Sequence, residues 1–158
     1  MAQAKLDKSI AGFAFAPSGK RGLESHSIGS GLLVGEDIKA GDACYIKESD
    51  GLVYRSGGSG VTLITQEGAR VAGFALETAD FNSGGGRQGA VTLVRNFDVA
   101  YGGAVLTIVP GRYYYLWVGD ASKGMIGADA SALNTPPIAG LPPIAIAIDA
   151  YRIRVLGW

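Results

Sequence analysis

The chain has 158 residues and a mass of 16.3 kDa, which fits one domain or at most two small ones. Lys and Arg number 14 and Asp and Glu also number 14, so the formal net charge is zero, which argues against a nucleic-acid partner held through its phosphates. A hydrophobic fraction of 47% excludes intrinsic disorder, and a single cysteine and a single histidine exclude an internal disulfide and a two-histidine metal site. We expect no cofactor.

The N-terminal segment, residues 1–30, is rich in loop formers and is predicted to be an extended arm. Asp7 and Lys8 interrupt its first apolar stretch, so we expect no secretory leader. No apolar run in the chain reaches the length of a spanning helix, so we expect no membrane partner. Two interpretations of the arm stay open, a frayed terminus and a segment that orders on a partner.

From residue 32 onward the chain consists of short β-prone runs separated by glycine turns, which predicts an all-β protein of the barrel or sandwich type. The 25 glycines disfavour helices, and residues 120–133 are the best place for a helical turn. Asp50-Gly51 lies between two β-prone runs and predicts a hairpin. The predicted strands cover residues 32–34, 43–46, 52–54, 61–65, 70–76, 90–94, 104–109, 112–118, 144–148 and 151–156.

One pattern occurs twice in the chain, in halves that span about residues 31–95 and 103–156. In each copy an apolar residue precedes a turn glycine by three positions, and tyrosine and an aliphatic residue follow that glycine. A second turn glycine then leads into an apolar pair, and 20 residues later another strand begins. We therefore predict two related β units that bury a shared core. The matched positions are Ile38 and Ile108, Gly41 and Gly111, Tyr45 and Tyr115, Gly51 and Gly124, and Val71 and Ile144.

The candidates for catalysis are few. His26 lies in the arm as a lone polar residue, and Cys44 in a β-prone run is expected to be a small buried hydrophobe. Acidic residues cluster at two turns and are expected to be surface groups, although paired carboxylates can act as acid and base. The glycine-rich loop at residues 83–89 is not followed by the Lys-Ser/Thr of a phosphate-binding loop, and the loop at residues 17–21 lacks the upstream glycine of that motif. The acidic residues concerned are Glu36, Asp37, Asp42, Asp120 and Asp129.

An aromatic run at residues 113–117 is the most suggestive stretch. In a strand, Tyr113, Tyr115 and Trp117 share one face, and Tyr114 belongs to the other. One face must be core, and the other is either core as well or a contact surface of the kind that binding hot spots form. The large apolar Trp158 at the C-terminus is expected to dock on its own body or on a neighbour.

The first copy resembles the head decoration, or cement, proteins of tailed bacteriophages. The resemblance rests on Ala40-Gly41-Asp42, Cys44-Tyr45-Ile46, Asp50-Gly51-Leu52-Val53 and Val71-Ala72-Gly73-Phe74-Ala75. It covers residues 30–95 and, more loosely, residues 103–156. It implies a compact β-barrel or β-tulip-like body on the outer capsid surface of a virion, made in the host cytoplasm. It also implies a homotrimer that clamps neighbouring copies of the major capsid protein.

We therefore expect a virion structural protein without enzymatic activity. The alternatives are a carbohydrate-binding module with an aromatic stacking strand and a small hydrolase that uses loop carboxylates. The candidate partner-binding residues are Lys5, Lys8, Phe13, Phe15, Lys20, Arg21, Tyr113, Tyr115, Trp117 and Trp158.

Overall fold

A computed structural model describes residues 27–82, 85, 87–98, 108–118, 123–127 and 142–156. Within these residues the protein is all-β, as the sequence predicts, with one short 3₁₀ helix at Glu67–Ala69. The strands form two five-stranded antiparallel sheets, and neither sheet closes into a barrel. The strands are β1 (Ser27–Leu33), β2 (Ala43–Ile46), β3 (Val53–Arg55), β4 (Gly73–Ala75), β5 (Ala90–Val94), β6 (Asn96–Asp98), β7 (Tyr113–Leu116), β8 (Ile126–Gly127), β9 (Ala145–Ala147) and β10 (Arg152–Val155).

The first sheet has the strand order β1-β5-β4-β2-β3. β1 pairs with β5 through two register shifts. The predicted hairpin at Asp50-Gly51 is confirmed, since β2 and β3 pair and Ile46 lies opposite Val53. Beyond the end of β1, Val34 forms a parallel bridge with Val53, and the Gly35 amide donates to the Val53 carbonyl at 2.8 Å. The two outer strands of this sheet therefore meet at one end.

The second sheet has the order β6-β10-β9-β7-β8, which repeats the order of the first sheet with every strand number raised by five. The two sequence copies therefore adopt one topology. Backbone hydrogen bonds recur at corresponding positions: Gly41 N to Ala75 O and Gly111 N to Ala147 O; Asp42 N to Lys39 O and Arg112 N to Val109 O; Ala72 N to Cys44 O and Ile144 N to Tyr114 O; Lys47 N to Leu52 O and Trp117 N to Met125 O.

These bonds correct one detail of the predicted repeat. Ile144 corresponds to Ala72 and not to Val71, because Ala72 and Ile144 donate to the matched carbonyls of Cys44 and Tyr114. The spacing from the second turn glycine is therefore one residue longer in the first copy. The two turn glycines of each copy do correspond, and all four have positive φ: 94° and 73° at Gly41 and Gly51, and 81° and 77° at Gly111 and Gly124.

The buried side chains form two clusters. One fills the interior of the first unit and includes Val34, Cys44 and Leu93. The other contains the inner face of the second sheet together with residues from the outer face of the first sheet. The members from the first sheet are Ala43, Phe74 and Val94. The back of the first sheet thus packs against the front of the second, and the copies are stacked in series.

The junction between the copies is tight. The Ala43 amide donates to the Gly124 carbonyl at 2.9 Å, and the Gly124 amide donates to the Ser56 carbonyl at 2.6 Å. A β-carbon on Gly124 would lie 2.8 Å from the Asp42 carboxyl group. At the side of the junction the Lys123 ammonium lies 2.8 Å from the Glu36 carboxylate, which also binds Arg55 at 2.9 Å.

Some predicted elements were wrong. Residues 61–65 form a loop tip, because the Gln66 side-chain amide accepts hydrogen bonds from the Thr62 and Leu63 amides at 2.6 and 2.8 Å and holds these residues in a turn. Residues 27–30, assigned to the arm, belong to β1. A helical turn was predicted within residues 120–133, but Ile126–Gly127 form strand β8 there. Residues 123–125 are in neither a helix nor a strand, and the other residues of this segment lie outside the described residues.

Candidate functional site

The three candidate carboxylates of the first unit, Glu36, Asp37 and Asp42, are engaged in structural contacts. Glu36 binds Arg55 and Lys123, and the Asp37 carboxylate accepts from the Phe81 amide at 2.8 Å. The Asp42 carboxylate accepts from the Lys39 amide at 2.9 Å and stabilises the first turn. Burial raises the pKa of Asp42, although the Lys39 hydrogen bond opposes that shift. Asp120 and Asp129 lie outside the described residues.

Cys44 is fully buried in the first unit, and its thiol donates to the Asp42 carbonyl at 3.4 Å. Burial, and then the nearby Asp42 carboxylate, raise the pKa of the Cys44 thiol well above its ordinary value. A nucleophilic thiolate is therefore strongly disfavoured, in agreement with the predicted packing role. His26 lies outside the described residues.

No group of three or more His, Cys, Asp or Glu side chains among the residues that the structure describes is arranged to hold a metal ion. No helix in that part of the chain has the length and apolar character needed to cross a membrane.

Strand β7 shows the alternation expected from its sequence. Tyr114 and Leu116 are fully buried in the shared core, whereas Tyr113 is 49% exposed and Tyr115 is half-buried. Trp117, which follows the strand, is also half-buried. The face that carries Tyr113 and Tyr115 is therefore the outer face of the second sheet.

The turn before β7 and the two outward tyrosines line an open depression of about 480 Å³. The turn is fixed from below, because the buried Tyr114 hydroxyl accepts from the Val109 amide at 3.0 Å. It is closed by a hydrogen bond from the Arg112 amide to the Val109 carbonyl at 3.0 Å. The lining residues are Val109, Pro110, Gly111, Arg112, Tyr113 and Tyr115. The depression thus combines the apolar groups of Val109 and Pro110 with arginine and tyrosine side chains.

The outer face extends across the sheet from Tyr113. Tyr113 lies opposite Ile146, and Ile146 lies opposite Arg154, so their side chains share one face. Arg154 is exposed and Ile146 is half-buried. Ile148, two residues beyond Ile146 and 38% exposed, extends this face towards the hairpin between β9 and β10. We call Arg112, Tyr113, Tyr115, Ile146, Ile148 and Arg154 the outer patch.

Comparison of the two copies shows how far this patch has diverged. The positions of the first copy that match Tyr113, Ile146 and Arg154 are Ala43, Phe74 and Val94, all of them buried against the second sheet. The position that matches Arg112 is Asp42, which lies at the junction. The same face is therefore an internal contact in one copy and a solvent-facing aromatic and basic surface in the other.

The sequence identified part of this patch. It indicated Tyr113, Tyr115 and Trp117 as one face, but it missed Ile146 and Arg154, whose place depends on the pairing of β7, β9 and β10. The correspondence between the two copies could have indicated Arg154, since it matches Val94 of β5 with Arg154 of β10. The other candidate contact residues lie outside the described residues: Lys5, Lys8, Phe13, Phe15, Lys20, Arg21 and Trp158.

Comparison of the chain with family models, with curated proteins and with solved structures finds no match.

Proposed function

We propose that this protein is a non-catalytic virion component that binds the outer surface of a tailed-phage capsid and stabilises contacts between capsomers. The observation that carries the proposal is the outer patch, an exposed aromatic and basic surface at positions that the first copy buries. Tyrosine and arginine are enriched at protein interfaces, and an open sheet face suits a broad protein partner. The resemblance of the first-copy turns to decoration proteins directs the choice of partner.

In this proposal the major capsid protein is the partner, and the protein assembles with itself as a homotrimer. Many copies on a symmetric lattice multiply a modest contact through avidity, so a small patch on each copy suffices. The N-terminal segment before β1, residues 1–26, adds contact area by ordering on the capsid. The proposed domain division is one β body that follows the arm and begins with β1 at Ser27.

The test is a binding assay on undecorated heads of the phage that encodes the chain. We expect the purified protein to sediment with the heads, and Tyr113→Ser to weaken binding about tenfold or more, since interface tyrosines often contribute over 1.4 kcal/mol. Leu63→Ser is the matched control, because Leu63 is 61% exposed and belongs neither to the outer patch nor to the lining of the depression. Circular dichroism verifies that both variants fold.

Two results would overturn the proposal. One is the absence of any binding of the unaltered protein to undecorated heads. The other is equal binding of the Tyr113→Ser and Leu63→Ser variants to heads, which would show that the outer patch is not the surface that binds the capsid.

A second candidate function is carbohydrate binding, which is favoured by the two tyrosines that line one open depression. Aromatic rings on a rigid strand form a platform for stacking, and Trp117 at the end of β7 provides a fluorescent reporter. Saturable quenching by a glycan, together with a monomeric mass in light scattering and no head binding, would favour this alternative. A trimeric mass and head binding favour the decoration protein.

A further inference from the structure

The charges of the outer patch have one sign. Arg112 and Arg154 are exposed, and neither forms an ion pair with any residue that the structure describes. Two described acidic residues belong to this part of the sheet: Asp98 lies opposite Arg152 in the register of β6 and β10. Asp149 lies in the hairpin before β10, and its carboxylate binds Arg152 at 2.6 Å and accepts from the Tyr151 and Arg152 amides. The Asp149 carboxylate is thus already bound by groups of its own hairpin. The patch presents two guanidinium groups beside tyrosine and isoleucine side chains.

The first copy shows that these charges are not demanded by the fold. At the positions matched to Arg112 and Arg154 it carries Asp42 and Val94, and both copies form the same backbone hydrogen bonds around them. The sheet therefore forms with a negative or an apolar residue at these positions. Since neither arginine has an ion-pair partner among the described residues, both can serve a contact outside the chain.

We infer that the outer patch binds an acidic protein surface, with carboxylates of the partner paired to Arg112 and Arg154 and apolar groups covering Ile146 and Ile148. This inference rests on the proposed function and specifies the chemistry of the capsid surface that is bound. Arginine offers a planar fork of donors that matches a carboxylate in two hydrogen bonds. Tyrosine beside it supplies rigid contact area that excludes water from those bonds.

A protein surface fits the patch better than a nucleic acid or an anionic glycan. Binding to phosphate or sulfate chains depends on several cations that follow the polyanion. Here two arginines are separated by apolar side chains of β9, and the net charge of the whole chain is zero. Such a mixture of apolar and basic groups is typical of a protein interface.

A charge-reversal variant tests the inference in the binding assay on undecorated phage heads. We expect Arg154→Glu to weaken binding about tenfold or more, because it places like charges opposite each other in the contact. Lys39→Glu is the matched control: it makes the same change of charge on the exposed turn of the first copy, at the position equivalent to Val109, and should alter binding less than about twofold. Raising the salt from about 0.1 M to 1 M shortens the Debye length from about 10 to 3 Å. It should therefore weaken head binding by the unaltered protein more than head binding by the Arg154→Glu variant.

The outcomes separate the two proposals. If the unaltered protein does not bind heads, the proposed function falls and this inference falls with it. If Tyr113→Ser weakens binding but Arg154→Glu behaves like Lys39→Glu, the decoration function stands and the acidic partner is wrong.

Chemical cross-linking identifies the partner group directly. Arg154→Lys keeps the positive charge and introduces an amine that a carbodiimide joins to a nearby carboxylate. On heads we expect mass spectrometry to find this amine linked to Asp or Glu of the capsid protein, whereas the native Lys39 amine stays unlinked to it. A link only to a second copy of this chain, or stronger binding of the protein to an anionic polymer such as heparin than to heads, would overturn the inference.

Discussion

Gly51 and Gly124 occupy the same turn position in the two copies, with φ of 73° and 77°. Their surroundings differ, because a β-carbon on Gly51 would meet nothing within 4 Å, whereas one on Gly124 would meet Asp42 at 2.8 Å. Glycine at the first site serves only the backbone conformation. At the second it also allows the two copies to approach closely, so equivalent residues carry different constraints.

This difference gives a paired prediction at the residue scale. Gly51→Ala should lower the free energy of unfolding by about 1–2 kcal/mol, the cost of a left-handed conformation for a residue with a β-carbon. Gly124→Ala should cost about 1–3 kcal/mol more, since the added methyl group crowds a carboxylate fixed by the Lys39 amide. Urea unfolding of both variants measures the difference. Equal losses of unfolding free energy would show that the junction has room for a methyl group at Gly124.

Asp42 supplies a prediction about pH. Burial raises its pKa in the folded state, so the folded protein binds this proton more tightly than the unfolded chain. The resulting stabilisation is complete below the ordinary pKa of 3.8 and is lost as the pH rises through the folded value. Asp42→Asn, which keeps an acceptor for the Lys39 amide, should therefore gain stability relative to the unaltered protein as the pH rises from about 3 to 7.

Asp50 is the control for that experiment, because its pKa is shifted the other way. The Leu52 amide and the Tyr54 hydroxyl donate to Asp50 and lower its pKa. Its contribution is present above the ordinary pKa and is lost as the pH falls. Asp50→Asn should therefore lose stability relative to the unaltered protein as the pH rises. Urea midpoints at several pH values reveal the two slopes, and slopes of the same sign would contradict one of the two assignments.

Among the elements, central strands were predictable from sequence and the edges of the second sheet were not. Strand β7 and the β2–β3 hairpin follow from alternation and from an Asp-Gly turn. β6 (Asn96–Asp98) and β8 (Ile126–Gly127) each have a single strong β-former among poor ones, and each pairs with a single neighbour at an edge of the second sheet. Their strand conformation is set by that neighbour and not by their own propensity.

The strand predicted at residues 61–65 was wrong for the opposite reason. Its β-branched and aliphatic residues favour a strand, but the Gln66 side chain offers their backbone amides a local acceptor. No periodicity reveals such a contact. The candidate site divides in the same way, because the tyrosine face is a property of one strand, while Ile146 and Arg154 join it through register between strands.

At the scale of the whole molecule, the serial stacking of the copies makes the first sheet part of the core of the second. Ala43, Phe74 and Val94 lie in the same cluster as Tyr114 and Ile153. Either unit alone would expose a broad apolar face. The copies should therefore be stable only together, although they have the same topology.

This stacking predicts a single unfolding transition, and the chain contains a probe for each half. Cys44, its only cysteine, is buried in the first unit, and both tryptophans, Trp117 and Trp158, lie in the second half of the sequence. Thiol labelling and tryptophan fluorescence should report the same urea midpoint. Labelling of Cys44 at clearly lower urea than the fluorescence change would show that the first unit opens by itself.

The bridge between Val34 and Val53 has a consequence for behaviour at high concentration. Free backbone amides and carbonyls along the rim of a sheet recruit strands from other molecules and start amyloid-like growth. In the first unit the rim strands β1 and β3 are joined to each other at one end, and β1 is further distorted by two irregularities in its pairing. At high concentration the first unit is thereby less prone to pair with other molecules through its backbone, and its associations are left to side chains.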